Sequence, residues 1–127
     1  DDAGNSIFFA RNMIVNAARA CGVIPVDTVH IKVHDLEDLE KEVKLAKDLG
    51  FEGMLVLNPK ELPIVHRYFS PSEKEVVWAT EMVKLAEEAI REGHGVAVKD
   101  NKFIGPPMVK MARNIIFKHE LINKRKS

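Results

Sequence analysis

The chain has 127 residues, 46% of them apolar and 30% charged, the balance of one soluble globular domain rather than of a disordered segment. Nineteen Lys and Arg against nineteen Asp and Glu give a formal net charge of zero, so no broad field gathers nucleic acid or an anionic membrane surface. The single cysteine, Cys21, excludes an intrachain disulfide framework and a cysteine-based zinc site, and no apolar stretch reaches the roughly 18 residues of a membrane span. The expectation is a cytoplasmic protein with no nucleic-acid partner and no membrane.

The opening Asp1-Asp2-Ala3-Gly4-Asn5 reads as a loop running into a helix. From a cap at Asn5 or Ser6, Ile7, Ile14, Ala17, Ala18 and Cys21 recur at helical spacing, and Gly22 is the stop. Val29, Ile31 and Val33 alternate after Pro25, which predicts a first strand within Val23–Val33. Asp35 then caps a helix over about Leu36 to Leu49, supported by the four-apart pairs Glu37–Lys41 and Glu40–Lys44 and closed by Gly50. Met54 to Leu57 is apolar on both faces, as a buried parallel strand is, so strand, helix and strand make a βαβ unit.

A shorter helix is predicted around Lys60 to Phe69. Ser70-Pro71-Ser72-Glu73 then supplies a Ser cap, a Pro at the first helical position and a Glu at the third. The stripe Val76, Ala79, Val83, Ala86 and Ile90 carries the helix that follows to Gly93. Val96-Ala97-Val98 and Phe103-Ile104 flank a turn as a small hairpin, and Gly105-Pro106-Pro107 leads to a last helix from about Met108 to Asn123. Lys124-Arg125-Lys126 reads as a solvated tail.

Two parallel strands apolar on both faces need helices above and below and neighbours along their edges. The apolar stripes of the helices are likewise too broad for so little sheet to cover. The chain therefore reads as part of a larger α/β unit, as an obligate partner of another chain, or as one of several copies that complete a sheet together.

Chemistry-bearing candidates are few. His30, His34, His66, His94 and His119 form no recognised zinc spacing, so they read as surface or packed histidines. Gly93-x-Gly95 lacks the context of a phosphate loop. Cys21, at the C-terminal end of an apolar helix face, reads as a packed and inert thiol. Asp35 and Asn58-Pro59-Lys60-Glu61 stand out because each follows the carboxyl end of a parallel strand, where α/β sheets collect ligand-binding groups. The plain alternatives are a helix cap for Asp35 and a strand-to-helix turn for Asn58-Pro59.

Several stretches together carry a resemblance: Phe9-Ala10-Arg11, Ile14-Val15 with Ala17-Ala18-Arg19-Ala20 and Gly22, Val26-Asp27-Thr28-Val29 with Asp35, and Leu49-Gly50-Phe51 with Gly53. Asn58-Pro59, Phe69-Ser70-Pro71-Ser72 with Ala79, and Gly93-x-Gly95 follow in order. Over roughly Ile7 to Ala112 the chain resembles the C-terminal part of the citrate lyase beta-subunit family, which includes malyl-CoA and citramalyl-CoA lyases. The resemblance implies an α/β fold, the C-terminal portion of a (β/α)₈ TIM barrel of about 250 residues or more, with a helical C-terminal cap. Residues 1–69 would be the last two β/α units, with strands Asp27–Val33 and Met54–Leu57. Residues 70–127 would be the last barrel helix, a hairpin and a capping helix of the same domain.

The implied activity is cleavage or formation of a carbon–carbon bond in a 3-hydroxyacyl thioester of CoA or acyl carrier protein. Mg²⁺ would hold the oxoacid portion, and a homo-oligomer, trimer or hexamer, is implied. The family's metal ligands and substrate-binding Arg would precede Asp1, so no catalytic or metal-binding residue is expected in this segment. Asp35, Asn58 and Lys60 are the substrate- or CoA-side candidates. Two departures bear on activity. Leu57-Asn58-Pro59-Lys60-Glu61 replaces the family's Ile-His-Pro and Gln, and Gly105 stands where many members carry a cap Asp that reaches a neighbouring subunit's active site. A glycine has no group to act as acid or base there, which opens a second reading, a non-catalytic homologue used for binding or assembly.

Overall fold

The computed structural model describes residues 5–125. In chain order it runs α1 (Asn5–Cys21), β1 (Val26–Asp27), α2 (Leu36–Leu49), β2 (Gly53–Met54), a 3₁₀ turn (Pro59–Glu61) and α3 (Leu62–Phe69). There follow α4 (Glu73–Arg91), β3 (Ala97–Lys99), β4 (Lys102–Ile104) and α5 (Pro106–Lys124). Contacts divide the chain into two compact units, one ending at Phe69 and the other beginning at Ser70.

In the first unit β1 and β2 pair in parallel, Val26 opposite Gly53 and Asp27 opposite Met54, with α2 as the crossover. Leu39, Val43, Met54 and Val65 form one buried cluster, and Val15, Ala46 and Phe51 a second. The buried residues of α2 fall at 39, 43 and 46, the spacing of one helical face. The helix starts where the Asp35 carboxylate accepts from Asp38 N–H and stops at Gly50. There φ is +101°, the 50 and 51 amides bond back to Lys47 and Ala46, and a Cβ would lie 3.1 Å from Val15. Gly22 ends α1 by the same left-handed motif.

The paired strands are shorter than the barrel strands that the resemblance implies. Pairing covers Val26–Asp27 and Gly53–Met54, not Asp27–Val33 and Met54–Leu57. A ladder continues only where a neighbour offers N–H and C=O groups. Beyond Asp27 the chain instead turns, with Asp35 N–H donating to Lys32 O. Ile31 is 80% exposed, and Leu55 and Leu57 are exposed too. The predicted face of α1 is only partly covered: Ala18 is buried beside Val15, while Ile7, Ile14 and Ala17 are exposed. Cys21 is exposed and not packed, because it lies beyond the strip that meets the rest of the unit.

The second unit packs α4, the hairpin and α5 around Ala79, Met82, Ala89, Ala97, Ile104 and Ala112. The buried line of α4 is displaced from the predicted stripe, which leaves Ile90 exposed. Its cap is Ser72 rather than Ser70. Ser72 accepts from Glu75 N–H while the Glu75 carboxylate accepts from Ser72 N–H, a complete capping box two residues on. Asp100 and Asn101 both have positive φ, the geometry of a two-residue hairpin turn of right-handed twist. Pro106 opens α5 two residues before the predicted start.

Candidate functional site

The first two strands point their carboxyl ends at the segments 28–35 and 55–61, so the structure puts Asp35 and Asn58-Pro59-Lys60-Glu61 after neighbouring parallel strands. Asp35, Asn58 and Glu61 each have a local capping task, while Glu61 Oε1 is buried without a partner. Asp35 accepts at Oδ1 from Asp38 N–H at 3.0 Å, and Asn58 accepts at Oδ1 from Lys60 N–H at 3.0 Å. Glu61 is fully buried, and its Oε2 accepts from Leu57 N–H (3.0 Å) and Asn58 N–H (3.4 Å). Asn58 and Glu61 thus form a capping box that fixes the 3₁₀ turn. Lys60 is exposed on that turn. No hydrogen bond or ion pair joins Asp35 to Asn58 or Lys60 among the described residues, so the two segments are neighbours in topology without forming one bonded cluster.

This donor set does not fit a magnesium ion, which takes several oxygen ligands in near-octahedral array. One carboxylate caps a helix, the other is sealed under the turn, and an amide and an ammonium complete the group. No step through Mg²⁺ is assigned to these residues.

Gly105 is buried at the N-terminus of α5, which has no side-chain cap. Its backbone is extended (φ −96°, ψ 171°), so any residue can adopt it. A Cβ placed there would meet Phe103 Cε1 at 2.5 Å. The Phe103 ring therefore stands in the space that a cap side chain would enter. Gly105 also borders a cleft of about 420 Å³ with an apolar wall of Ile90, Ile104, Pro106 and Val109.

Two arrangements escape a reading by spacing. Arg11 and Asp27, sixteen residues apart, form an ion pair with side chains only 11% and 5% exposed, and the guanidinium also lies 5.9 Å from the Phe51 ring centroid. His30, read from spacing as a surface or packed histidine, is packed, with Nδ1 2.8 Å from Glu42 Oε2, and Asp38 joins them. A loop intervenes between His30 and α2, so no fixed spacing announces the group. Lys32 donates to Asp38 at 3.0 Å, and this hydrogen bond holds the Asp38 carboxyl below its usual range of about 3.8.

Residues 1–59 match the model of the HpcH/HpaI aldolase/citrate lyase family. The citrate lyase subunit beta of Haemophilus influenzae is 36% identical over 113 residues, 89% of this chain and 39% of that protein. The (3S)-malyl-CoA thioesterase of Cereibacter sphaeroides is 39% identical over 106 residues, 84% of this chain and 37% of that protein. The crystal structure of CitE from Mycobacterium tuberculosis, in complex with magnesium, acetoacetate and coenzyme A, superposes with a TM-score of 0.69 at 24% identity over 87% of this chain and 40% of that one. The chain thus spans under two fifths of the length of these two curated relatives. Among the described residues no helix is long and apolar enough to cross a membrane.

Proposed function

The chain belongs to the HpcH/HpaI aldolase/citrate lyase family, and from that premise we propose that it forms the C-terminal portion of a (β/α)₈ barrel that cleaves a 3-hydroxyacyl thioester of CoA or acyl carrier protein. The observation that carries the reading is the parallel β1–α2–β2 unit with uncovered apolar side chains, Ile31, Leu55 and Leu57 among them, in a chain so similar to citrate lyase subunits. Barrel neighbours would cover those side chains and extend the strands. Contacts between copies in a trimer or hexamer would cover others, such as Phe9 on α1.

In the proposed retro-Claisen reaction the hydroxyl loses its proton, the adjacent carbon–carbon bond breaks, and the electron pair passes to the thioester enolate. Such a step needs a base and a positive field at the enolate oxygen. A Mg²⁺ ion, held by residues other than these, would supply that field. The part of this chain would be to hold the thioester. Lys60 presents an exposed cation at the strand end for an anionic group of the carrier, and the Asn58 amide retains its N–H donors beside it. Asp35 holds the first turn of α2 and shapes the rim.

The test is a cleavage assay of the full-length protein with malyl- and citramalyl-CoA in Mg²⁺. The expected result is one oxoacid released per acyl-thioester product. Lys60→Ala should raise KM roughly fivefold, the value of about 1 kcal/mol, with kcat unchanged. A collapse of kcat with unchanged KM would overturn the holding role.

One observation favours a second reading, a binding or assembly protein without lyase activity: Gly105 carries no carboxylate and Phe103 occupies its place. Gly105→Asp, made with Phe103→Ala to open the space, separates the two. A lyase rate that appears only in the double variant supports the binding reading, and a robust rate in the unsubstituted protein sinks it.

A further inference from the structure

We propose that His30, Asp38 and Glu42 form a site for a first-row divalent ion, Zn²⁺ or Co²⁺ by chemistry, that pins the segment after β1 to α2. Asp38 and Glu42 are four residues apart, one turn along the same face of α2. His30 comes from the segment between β1 and α2, and one ligand atom of each of the three residues lies within 4.8 Å of the other two. A ring nitrogen with two carboxylates suits zinc, cobalt or nickel better than magnesium or calcium, which take oxygen.

The nitrogen that joins the two carboxylates is itself fixed by burial. His30 is 2% exposed and turns Nδ1 toward Glu42, while Nε2, on the far edge of the ring, is buried without a partner. A ring immobilised with Nδ1 facing two carboxylates is a preorganised ligand, which an ion between them would use without moving it.

Lys32 supplies the counter-charge without the ion. Its Nζ lies 3.0 Å from Asp38 Oδ2, and its side chain is 47% exposed and able to swing into solvent. The ammonium and the ion compete for the same carboxylate. Removing Lys32 therefore strengthens ion binding, whereas a merely structural trio would show no such gain. The segment so pinned ends at Asp35, so the ion would stiffen one rim of the proposed mouth.

The experiment is a Co²⁺ titration of the full-length protein in excess Mg²⁺, read by visible absorbance and displaced by Zn²⁺. The expected result is one Co²⁺ per chain. Affinity should fall at least tenfold in His30→Gln and in Glu42→Gln, and rise roughly two- to fivefold in Lys32→Met, the value of an exposed ion pair. Glu42 is 40% exposed, so its variant decides the matter should His30→Gln fail to fold. The same Co²⁺ affinity in wild type and Glu42→Gln, or no Co²⁺ bound at all, would overturn the site. The readout is binding, so its failure is distinct from any failure of the lyase reading.

Discussion

The segments after β1 and β2 leave neighbouring parallel strands in the same direction, yet they are held by different physics. The segment after β2 closes on itself. Glu61, Asn58 and Pro59 satisfy its backbone within five residues, with the Glu61 carboxylate wholly buried. The segment after β1 is held from outside, by side chains of α2 that reach back to His30 and Lys32 across a loop. A locally capped turn keeps its shape whatever surrounds it, while a cross-linked loop responds to charge and ligands. The first arrangement suits a fixed rim, the second a tunable one.

The floor beneath both segments is the Arg11–Asp27 pair, since Asp27 ends β1 and its carbonyl accepts from Leu55 N–H at 3.1 Å. Asp27→Ala leaves a nearly buried guanidinium without its partner, and unfolding stability should fall by about 3 kcal/mol. A urea melt showing less than about 1 kcal/mol would mean that the pair does not support the two segments.

Two substitutions set the self-closed segment against the cross-linked one. Glu61→Ala strips the acceptor from two backbone N–H groups and should cost about 2 kcal/mol. Glu42→Gln, at a partly exposed position without added metal, should cost only about 0.5 kcal/mol. Equal losses in thermal or urea unfolding would erase the distinction between a self-closed and a cross-linked segment.

The smallest effect lies on α3, where Tyr68 donates to Glu40 at 2.6 Å. That hydrogen bond is the main cause of a phenol held above its ordinary value of 10.0, with desolvation and the Glu40 charge adding to it. A raised value in the folded state means that the contribution to stability is complete below pH 10 and is lost as the pH climbs through the folded value. Tyr68 is the only tyrosine of the chain, so absorbance titration reads it directly. Glu40→Gln should move the titration down toward 10.0, and an unmoved curve would remove Glu40 as the cause.

Much of the fold is legible in the sequence because its signals are local. Gly22, Gly50 and Gly93 stop their helices with positive φ, as their positions imply, and the bounds of α2 match the periodicity to the residue. Strand length is not local. The Val29–Ile31–Val33 alternation records which side chains face which way, but a ladder also needs a neighbouring strand, and β2 pairs over two residues only. Asp35 and Asn58 were legible as strand-end residues, and the structure also gives each the capping role that their residue types prefer. Arg11–Asp27 and His30–Glu42 were hidden, because tertiary approach and not spacing brings them together. The role of Phe103 was hidden for a related reason: a glycine shows that a side chain is missing but not what fills the gap.

The most direct measurement is amide hydrogen exchange on the full-length protein across residues 28–33 and 55–57. If these residues continue as barrel strands, their amides should be protected to nearly the level of the β1–β2 pair. Rapid exchange in both segments of the folded full-length protein would contradict the barrel, and with it the placing of Asn58 and Lys60 at its mouth.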